Sequence, residues 1–401
     1  MNLPRMFKVR QRFPTETLRH VEETLRAELA RCRVSVKPGA RIAVAVGSRG
    51  IANLPLIVRE VVAWVKAQGG LPFLVPAMGS HGGATAEGQK RVLQSYGVTK
   101  ANVGAPIVSS MEVIEIGPDA FVDKAGYESE GVILINRIKP HTSFHGRYES
   151  GLMKMAAIGL SKHVGAITIH RYGVQGLREQ MPRVARFILE RGNVLLGVGI
   201  VENAAGQTML IRAIPAANIP DEEPPLLELA RANMPSLPVA NLDVLIVGEI
   251  GKDISGTGLD PNVIGRLRIA GEPEPASPRI KMIFVRDLSA ASGGSAYGIG
   301  LADVTTRQLV EKTDWNVTNA NVRASGFFER GKLPHVAETD EQALEWVLRA
   351  CETIQPEEVR IVSIRNTLRL DSLLVSEAVR EEIAGRDTID VIGPSAILGA
   401  L

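Results

Sequence analysis

Side chains that could carry acid/base chemistry are concentrated in one stretch, Asn136 to His170. This window holds four of the chain's seven histidines and three lysines. These residues are His141, His145, His163, His170, Lys139, Lys154 and Lys162. Because an imidazole changes its protonation state near neutral pH, such a concentration of histidines marks a candidate site for proton transfer.

The spacing of the histidines does not fit two common hydrolase classes. A zinc hydrolase would need three close ligands, as in HExxH, and a serine hydrolase would need a GxSxG turn; the sequence contains neither. His141 and His145 are four residues apart, but Pro140 and Gly146 predict a loop rather than a shared helix face. Proton chemistry with two bases fits His81, His141 and His145 better.

The elements around the cluster alternate between strands and helices. The apolar run EGVILIN predicts a buried strand, and the histidine cluster begins where this strand ends. Upstream, RIAVAVG (41–47) and GLPFLVPA (70–77) predict two more strands, each followed by a Gly-rich turn and a helix. The pattern predicts an α/β fold of two alternating α/β domains with largely parallel sheets. We expect the active site in the cleft between these domains, beyond the carboxyl ends of the strands.

The two Gly-rich turns carry candidate ligand-binding groups. In the first turn, Gly47 to Gly50, the planar guanidinium of Arg49 could bind a carboxylate or a phosphate, although a plain tight turn explains the glycines equally well. In the second turn, GSHGG, the flanking glycines leave His81 unshielded at the end of a predicted strand. That placement favours a functional histidine.

Length and proline content predict the domain boundaries. A chain of 401 residues is expected to form two domains. A Pro-rich break at 219–241 predicts an N-terminal domain, residues 1–236, that carries the catalytic residues. Residues 237–375 would form a C-terminal domain that closes over the substrate, and the tail, residues 376–401, would return to the first domain.

Composition excludes several classes of partner. The chain has 46 Lys and Arg against 44 Asp and Glu, and only 4% aromatic residues, which argues against a nucleic-acid-binding surface. We find no apolar run of bilayer length and no signal-peptide core, so no membrane partner is expected. Cys32 and Cys351 lie far apart and predict free, buried thiols in a reducing compartment. These features predict a soluble cytoplasmic protein.

Lys154 lies among apolar residues in the segment ESGLMKMAAIG (149–159). Burial of a lysine lowers the pKa of its amine and can make it a point of covalent attachment. The alternative is a lysine whose stem packs along an apolar helix face while its ammonium reaches water. The residues alone therefore predict an α/β enzyme with histidine acid/base groups and one unusual lysine.

These motifs resemble the lactate racemase family. The resemblance is carried by KPHTSFHGRYESGLMKMAAIGLSKHVGA, with GSRGI and GSHGGAT before it and GKDISGTGLDPNVIGR after it, and it spans most of the chain. Enzymes of that family use a nickel-pincer nucleotide, pyridinium-3-thioamide-5-thiocarboxylic acid mononucleotide, which holds nickel through one carbon and two sulfurs. The resemblance therefore implies an isomerase with nickel and this nucleotide as cofactors.

The resemblance also implies roles for individual residues. Lys154 matches the lysine that holds the cofactor through a thioamide bond, and His170 matches the histidine that completes the coordination of nickel. Ser150 and Gly151 would help to seat the cofactor near its phosphate end.

Two catalytic histidines are implied as well. His81 matches one of them, and His141 is our preferred match for the second because it lies in the family-like KPHT segment, with His145 as the alternative. Arg49 and Lys252 are our candidates for binding the carboxylate of the substrate.

The sequence departs from the lactate enzymes near the substrate. Gly47 and Ser48 stand where the family pattern has an acidic residue, and Leu152 stands where it has a second glycine before the lysine. We therefore expect racemisation or epimerisation of a different 2-hydroxy acid, larger than lactate or a sugar acid. The expected partners are this small molecule and the maturation proteins that make the cofactor, and a homo-oligomer is left open.

Two other functions remain as alternatives. A nicotinamide-dependent oxidoreductase of hydroxy acids could use the same histidines, but the glycine patterns around residues 197, 256 and 298 lack the third glycine of a dinucleotide fingerprint. A non-catalytic nickel- or cofactor-binding protein would leave every 2-hydroxy acid optically unchanged.

Overall fold

The strands and helices of the chain alternate as the sequence predicts, and the α/β class is confirmed. The structure is a computed structural model that describes residues 4–47, 50–351 and 355–398. The strands are β1 (Met6–Gln11), β2 (Arg41–Val46), β3 (Leu71–Pro76), β4 (Val113–Gly117), β5 (Ala120–Asp123), β6 (Gly131–Arg137), β7 (Val194–Glu202), β8 (Thr208–Pro215), β9 (Asn241–Ile250), β10 (Arg279–Leu288), β11 (Val304–Thr306), β12 (His335–Ala337), β13 (Ile361–Asn366), β14 (Arg369–Ser376) and β15 (Ile389–Ser395).

Helices connect most of these strands. The helices are α1 (Val21–Arg31), α2 (Leu54–Ala67), α3 (Ala86–Ser95), α4 (Lys100–Val103), α5 (Lys124–Tyr127), α6 (Leu152–Lys154), α7 (Lys162–His170), α8 (Gly173–Gln175), α9 (Met181–Arg191), α10 (Ile219–Ala232), α11 (Pro261–Ile264), α12 (Arg307–Lys312), α13 (Trp315–Ser325), α14 (Asp340–Arg349) and α15 (Glu377–Ile383). Two π-helical turns, Met155–Gly159 and Gly176–Gln180, extend α6 and α8.

The chain divides into two compact units, which differ from the predicted domains in two places. The first unit is Pro14–Met234, and the second unit combines Met1–Phe13 with Pro235–Leu401. We predicted residues 1–236 as one domain with the tail, 376–401, returning to it. Instead, β1 pairs with β14 on one side and with β15 on the other, both antiparallel. These ladders place the N-terminal strand and the tail in the second unit.

The first unit is built on a five-stranded sheet in the order β3-β2-β6-β7-β8. The first four strands are parallel, and β8 closes the sheet antiparallel to β7. Central strands such as β2 and β6 are apolar along their length because helices cover both faces of a parallel sheet. The carboxyl ends of β3, β2 and β6 therefore lie along one edge.

The second unit is built on an eight-stranded sheet in the order β12-β11-β10-β9-β13-β14-β1-β15. The five strands from β12 to β13 are parallel, and the other three are antiparallel to their neighbours. Alternate residues of β9 enter separate cores, since Leu245 and Val247 pack in one cluster and Val244 and Ile246 in another. This alternation shows that both faces of the sheet are covered.

Both cysteines are free and buried, as the sequence predicts. The Cys32 thiol donates to the carbonyl of Ala213 at 2.8 Å. Burial raises the pKa of Cys32 to about 11, and burial likewise raises the pKa of Cys351. Neither thiol is therefore suited to act as a nucleophile near neutral pH.

Candidate active site

The histidine-rich loop between β6 and α6 is closed at its base by backbone and side-chain hydrogen bonds. Lys139 and Ser150 exchange backbone hydrogen bonds of 2.9 and 3.2 Å in an isolated antiparallel bridge. The side-chain amide of Asn136, at the end of β6, donates to the carbonyl of Gly151 at 2.9 Å. Gly47, at the end of β2, is required here because an added Cβ would lie 2.9 Å from Asn136 Oδ1. The loop is thus fixed to the carboxyl edge of the sheet.

The loop is organised around the carboxylate of Glu149, which is completely buried. It accepts hydrogen bonds from the backbone N–H of His141 at 2.6 Å and of Gly146 at 3.2 Å. It also lies 3.2 Å from Nδ1 of His145 and 2.7 Å from the guanidinium of Arg231 in α10. These donors replace the water that the buried carboxylate has lost.

Lys154 and His141 are in direct contact. The two atoms, Lys154 Nζ and His141 Nε2, are 2.6 Å apart, and the Lys154 side chain is half-buried. The backbone N–H of Ser143 donates to Nδ1 of His141 at 3.0 Å, and the Phe144 ring packs 4.7 Å from the imidazole, centroid to centroid. The imidazole is therefore held by groups on three sides, with the amine at one ring nitrogen.

A buried acid from α10 contacts the start of α6, the helix that carries Lys154. The carboxylate of Glu223, in α10, accepts the backbone N–H of Met153 at 2.9 Å, and its Oε1 has no hydrogen-bond partner among the described residues. Burial raises the pKa of Glu223 to about 7, although the N–H groups of Leu152 and Met153 act in the opposite direction. Gly151 makes room for this carboxylate, since an added Cβ would lie 2.5 Å from Oε1.

His170 ends α7 and is exposed to solvent. Protein atoms packed around the imidazole lower the pKa of His170 to about 4, and the positive charge of a protonated Lys154 acts in the same direction. His170 is therefore neutral at physiological pH, which is the form that binds a metal.

The GSHGG turn packs against the helical segment that follows Lys154. The backbone N–H of Gly79 donates to the carbonyl of Gly159 at 3.1 Å, and the Gln89 side chain holds the carbonyls of Gly79 at 2.7 Å and His81 at 3.3 Å. Gly79 has φ +58°, a left-handed conformation that glycine adopts without strain. The side chain of His81 is exposed at this turn.

Beneath the turn lies a buried ion pair that the sequence did not predict. Lys162 Nζ is 3.0 Å from Asp123 Oδ2, and both side chains are almost fully buried. The same ammonium donates to the carbonyl of Pro76 and lies 3.5 Å from Oε1 of Gln89. Burial lowers the pKa of Lys162, and the Asp123 charge opposes that shift. The pair joins β5, β3 and α3 to the start of α7.

The structure therefore gathers most of the predicted site residues in the first unit. Lys154 and His141 touch, His145 shares Glu149 with the backbone of His141, and His170 is close enough to Lys154 to feel its charge. His81 lies on a turn that contacts the same helical segment.

Other predicted residues are placed differently. Arg49 lies outside the described residues. Lys252 belongs to the second unit, where its ammonium donates to the side chain of Asn321. The backbone groups of Ser150 pair with Lys139, and the carbonyl of Gly151 is bonded to Asn136. The backbone N–H groups of Leu152 and Met153, which follow Gly151, are bonded to the carboxylate of Glu223. The predicted cleft between domains stays a prediction.

Three charged residues of the site were not predicted. Glu149 lies in the segment ESGLMKMAAIG, but the sequence analysis gave it no role. Glu223 and Arg231 lie in α10, inside the predicted Pro-rich break. A signal was present, because Leu226, Leu227 and Ala230 follow a helical spacing and are buried.

The described part of the chain lacks two features, a protein-only metal cluster and a membrane-spanning helix. Residues 4–47, 50–351 and 355–398 contain no group of three or more His, Cys, Asp or Glu side chains arranged to hold a metal ion. None of the helices described in those ranges has both the length and the apolar character of a bilayer-spanning helix.

The fold is similar to that of a solved lactate racemase. The apoprotein of the enzyme from Thermoanaerobacterium thermosaccharolyticum aligns over 90% of this chain and 98% of its own, with a TM-score of 0.54 and 13% identity. The chain thus has a lactate-racemase-like fold. No model of a known protein family matches the sequence, and no curated protein matches it.

Proposed function

We propose that this chain is a nickel-pincer-nucleotide-dependent racemase or epimerase of a 2-hydroxy acid. One observation carries the proposal: the amine of Lys154, in the segment that resembles the cofactor-binding motif, lies 2.6 Å from the imidazole of His141. Support also comes from the lactate-racemase-like fold, which includes almost the whole of the solved enzyme. An amine next to a proton-transfer group is suited to covalent attachment of a ligand.

The residues present fit the proposed cofactor at two points. Lys154 would hold it through the amine, and His170 would provide one neutral imidazole to nickel, sixteen residues further along. Because the nucleotide would itself bring donors for the metal, the protein would need to add only the imidazole of His170.

The phosphate end of the cofactor has fewer groups available. We keep Ser150 and Gly151 as the residues that line it. Since Glu223 holds the N–H groups of Leu152 and Met153, the hydroxyl of Ser150 is the group of this segment that would contact a phosphate.

In the proposed reaction, the protein moves protons and holds the substrate. When bound, the cofactor would supply reversible hydride chemistry, taking the hydride from the substrate's C2 carbon and giving it back to the same carbon. One histidine removes the proton of the substrate hydroxyl, and a second on the opposite face returns a proton to the oxygen, so each enantiomer needs its own acid/base group. We assign these roles to His81 and His141, with His145 as the alternative to His141. Arg49 and Lys252 are proposed to bind the substrate carboxylate.

The proposal is tested by loading the cofactor and measuring racemisation. The full chain is co-expressed with the cofactor maturation proteins, and intact mass, nickel content and chiral chromatography are measured on lactate, larger 2-hydroxy acids and sugar acids. We expect an adduct of the nucleotide's mass, about one nickel per chain, and racemisation or epimerisation of at least one acid. Replacing either catalytic histidine should lower the rate roughly 10²–10⁴-fold.

Lys154→Ala is the control for the anchor. This variant should carry no adduct and show no turnover, because it lacks the attached amine. An adduct retained in Lys154→Ala would overturn the assignment of Lys154. A loaded chain that leaves every acid optically unchanged would overturn the enzymatic function.

A further inference from the structure

The hydrogen bonds of His145 select one of its two neutral tautomers. The carboxylate of Glu149 acts as an acceptor, because it pairs with the guanidinium of Arg231 and accepts hydrogen bonds from two backbone N–H groups. Since Nδ1 of His145 faces this carboxylate at 3.2 Å, Nδ1 must carry the hydrogen. In the neutral imidazole the other nitrogen, Nε2, then has a free lone pair. The His145 side chain is 40% exposed, so this ring is open to solvent.

The hydrogen bonds of His141 select the opposite tautomer. The backbone N–H of Ser143 donates to Nδ1 at 3.0 Å, so Nδ1 is an acceptor and the hydrogen of the neutral ring is on Nε2. That hydrogen faces Nζ of Lys154 at 2.6 Å.

We propose that Glu149 is a positioning residue: it holds His145 in the Nδ1–H tautomer and thereby presents Nε2 as a proton acceptor. The catalytic meaning of this inference rests on the proposed function. His145 is then prepared to remove a proton, whereas His141 offers a hydrogen and is engaged with Lys154. Glu149 acts through the imidazole, and Arg231 pairs with its carboxylate at 2.7 Å. Between the two candidates for the second catalytic histidine, this arrangement favours His145 over His141, the residue we preferred from the sequence.

The tautomers can be read directly by NMR without cofactor or substrate. The full chain is labelled with [15N]histidine, and two-bond 1H–15N correlations are recorded at about pH 8, where an ordinary imidazole is neutral. His141→Gln and His145→Gln provide the assignments. We expect a protonated Nδ1 at His145 and a protonated Nε2 at His141. The opposite result at His145 would overturn the proposal, and this wild-type spectrum decides it even where a variant fails to fold.

Glu149→Gln tests the cause of the tautomer. Losing a charge-assisted hydrogen bond should move the tautomer ratio of His145 about tenfold towards Nε2–H. Glu228→Gln is the matched control, because Glu228 pairs with the same Arg231 but is exposed and does not contact His145. It should leave both tautomers unchanged. A His145 ratio that is the same in Glu149→Gln as in the wild type would overturn the positioning role.

The experiments distinguish a failure of the proposed function from a failure of this inference. A chain that racemises a 2-hydroxy acid while His145 carries its hydrogen on Nε2 would keep the function and lose the inference. A chain that has the expected tautomers but shows no turnover when loaded with cofactor would keep the positioning role of Glu149 and lose the proposed function.

Discussion

Two lysines eight residues apart in the same segment have opposite surroundings. Lys162 is fully buried and forms an ion pair with Asp123, so its charge is neutralised within the pair. Lys154 is half-buried and faces the imidazole of His141, while Oε1 of the nearby buried acid Glu223 has no hydrogen-bond partner among the described residues. A closed ion pair fixes structure, whereas groups that meet neutral partners can exchange protons. The comparison separates the part of the segment that holds the fold from the part suited to chemistry.

The largest effect on stability should come from Lys162→Met, which leaves the Asp123 carboxylate buried and unpaired. We expect a loss of about 3–5 kcal/mol in the free energy of unfolding. Lys154→Met, the matched variant, should cost less than about 1 kcal/mol because no buried charge loses its partner. Urea unfolding followed by the fluorescence of Trp64 measures the first unit once Trp315 and Trp346 are replaced by Phe.

The double variant Lys162→Met/Asp123→Asn is the control for this prediction. It removes both charges and should recover much of the lost stability. The comparison would break down if Lys154→Met destabilised the first unit as much as Lys162→Met.

Glu223→Gln should change how stability depends on pH. The pKa of Glu223 is about 7 in the folded chain against an ordinary value of 4.5, so between these values the folded state keeps a proton that the unfolded state has lost. Stability from this group is therefore highest below pH 4.5 and falls by about 3 kcal/mol as the pH rises to 7. The glutamine variant should lose that slope in unfolding experiments across this range.

Glu222→Gln is the control for the pH experiment, since it removes a neighbouring carboxylate that is not fully buried. It should retain the slope of the wild type. An unchanged slope in Glu223→Gln would show that Glu223 is ionised throughout, as a carboxylate with a nearby cation would be.

The smallest effect should come from Gln89→Leu, which removes the side-chain bonds to the carbonyls of Gly79 and His81. Leaving these acceptors unpaired should cost about 1–3 kcal/mol. Hydrogen exchange at the Gly79 amide should accelerate, because the turn loses its support against the helix. Gln94→Leu, an exposed site on the same helix, should alter neither quantity. Equal exchange rates in the two variants would show that Gln89 does not hold the turn.

The strands around the site could be predicted because they are short apolar runs, two of which, β2 and β3, are followed by glycine-rich turns. β2, β3 and β6 lie where the sequence places them, and Thr85 caps α3 by accepting the N–H of Gly88 at 3.1 Å. These features depend on residues close together in the chain, so local rules suffice.

Helix α10 could not be predicted by the same rules. Pro224 and Pro225 each remove a helical N–H donor, which argued for a break, but packing of the buried residues on one face outweighs that loss. Glu223 and Arg231 therefore reach the site from a helix that sequence analysis had taken for a linker.

Local composition did not identify the buried lysine, since it left open whether Lys154 is buried or reaches water. Lys154 is half-buried, whereas Lys162 is completely buried. The partner that makes this burial tolerable, Asp123, lies 39 residues earlier at the end of β5. Pairing across such a distance depends on the tertiary fold and leaves no periodic mark in the sequence.

The backbone of Lys162 has φ +54°, a left-handed conformation that is costly for any residue with a Cβ. Glycine would adopt it without strain but could offer no cation to the acid below. Residue 162 must both adopt a left-handed backbone conformation and provide a cation for Asp123. Lysine provides the cation at a cost of roughly 1–2 kcal/mol of torsional strain. The direction in which α7 departs, and with it the location of His170 at its far end, is set by that compromise.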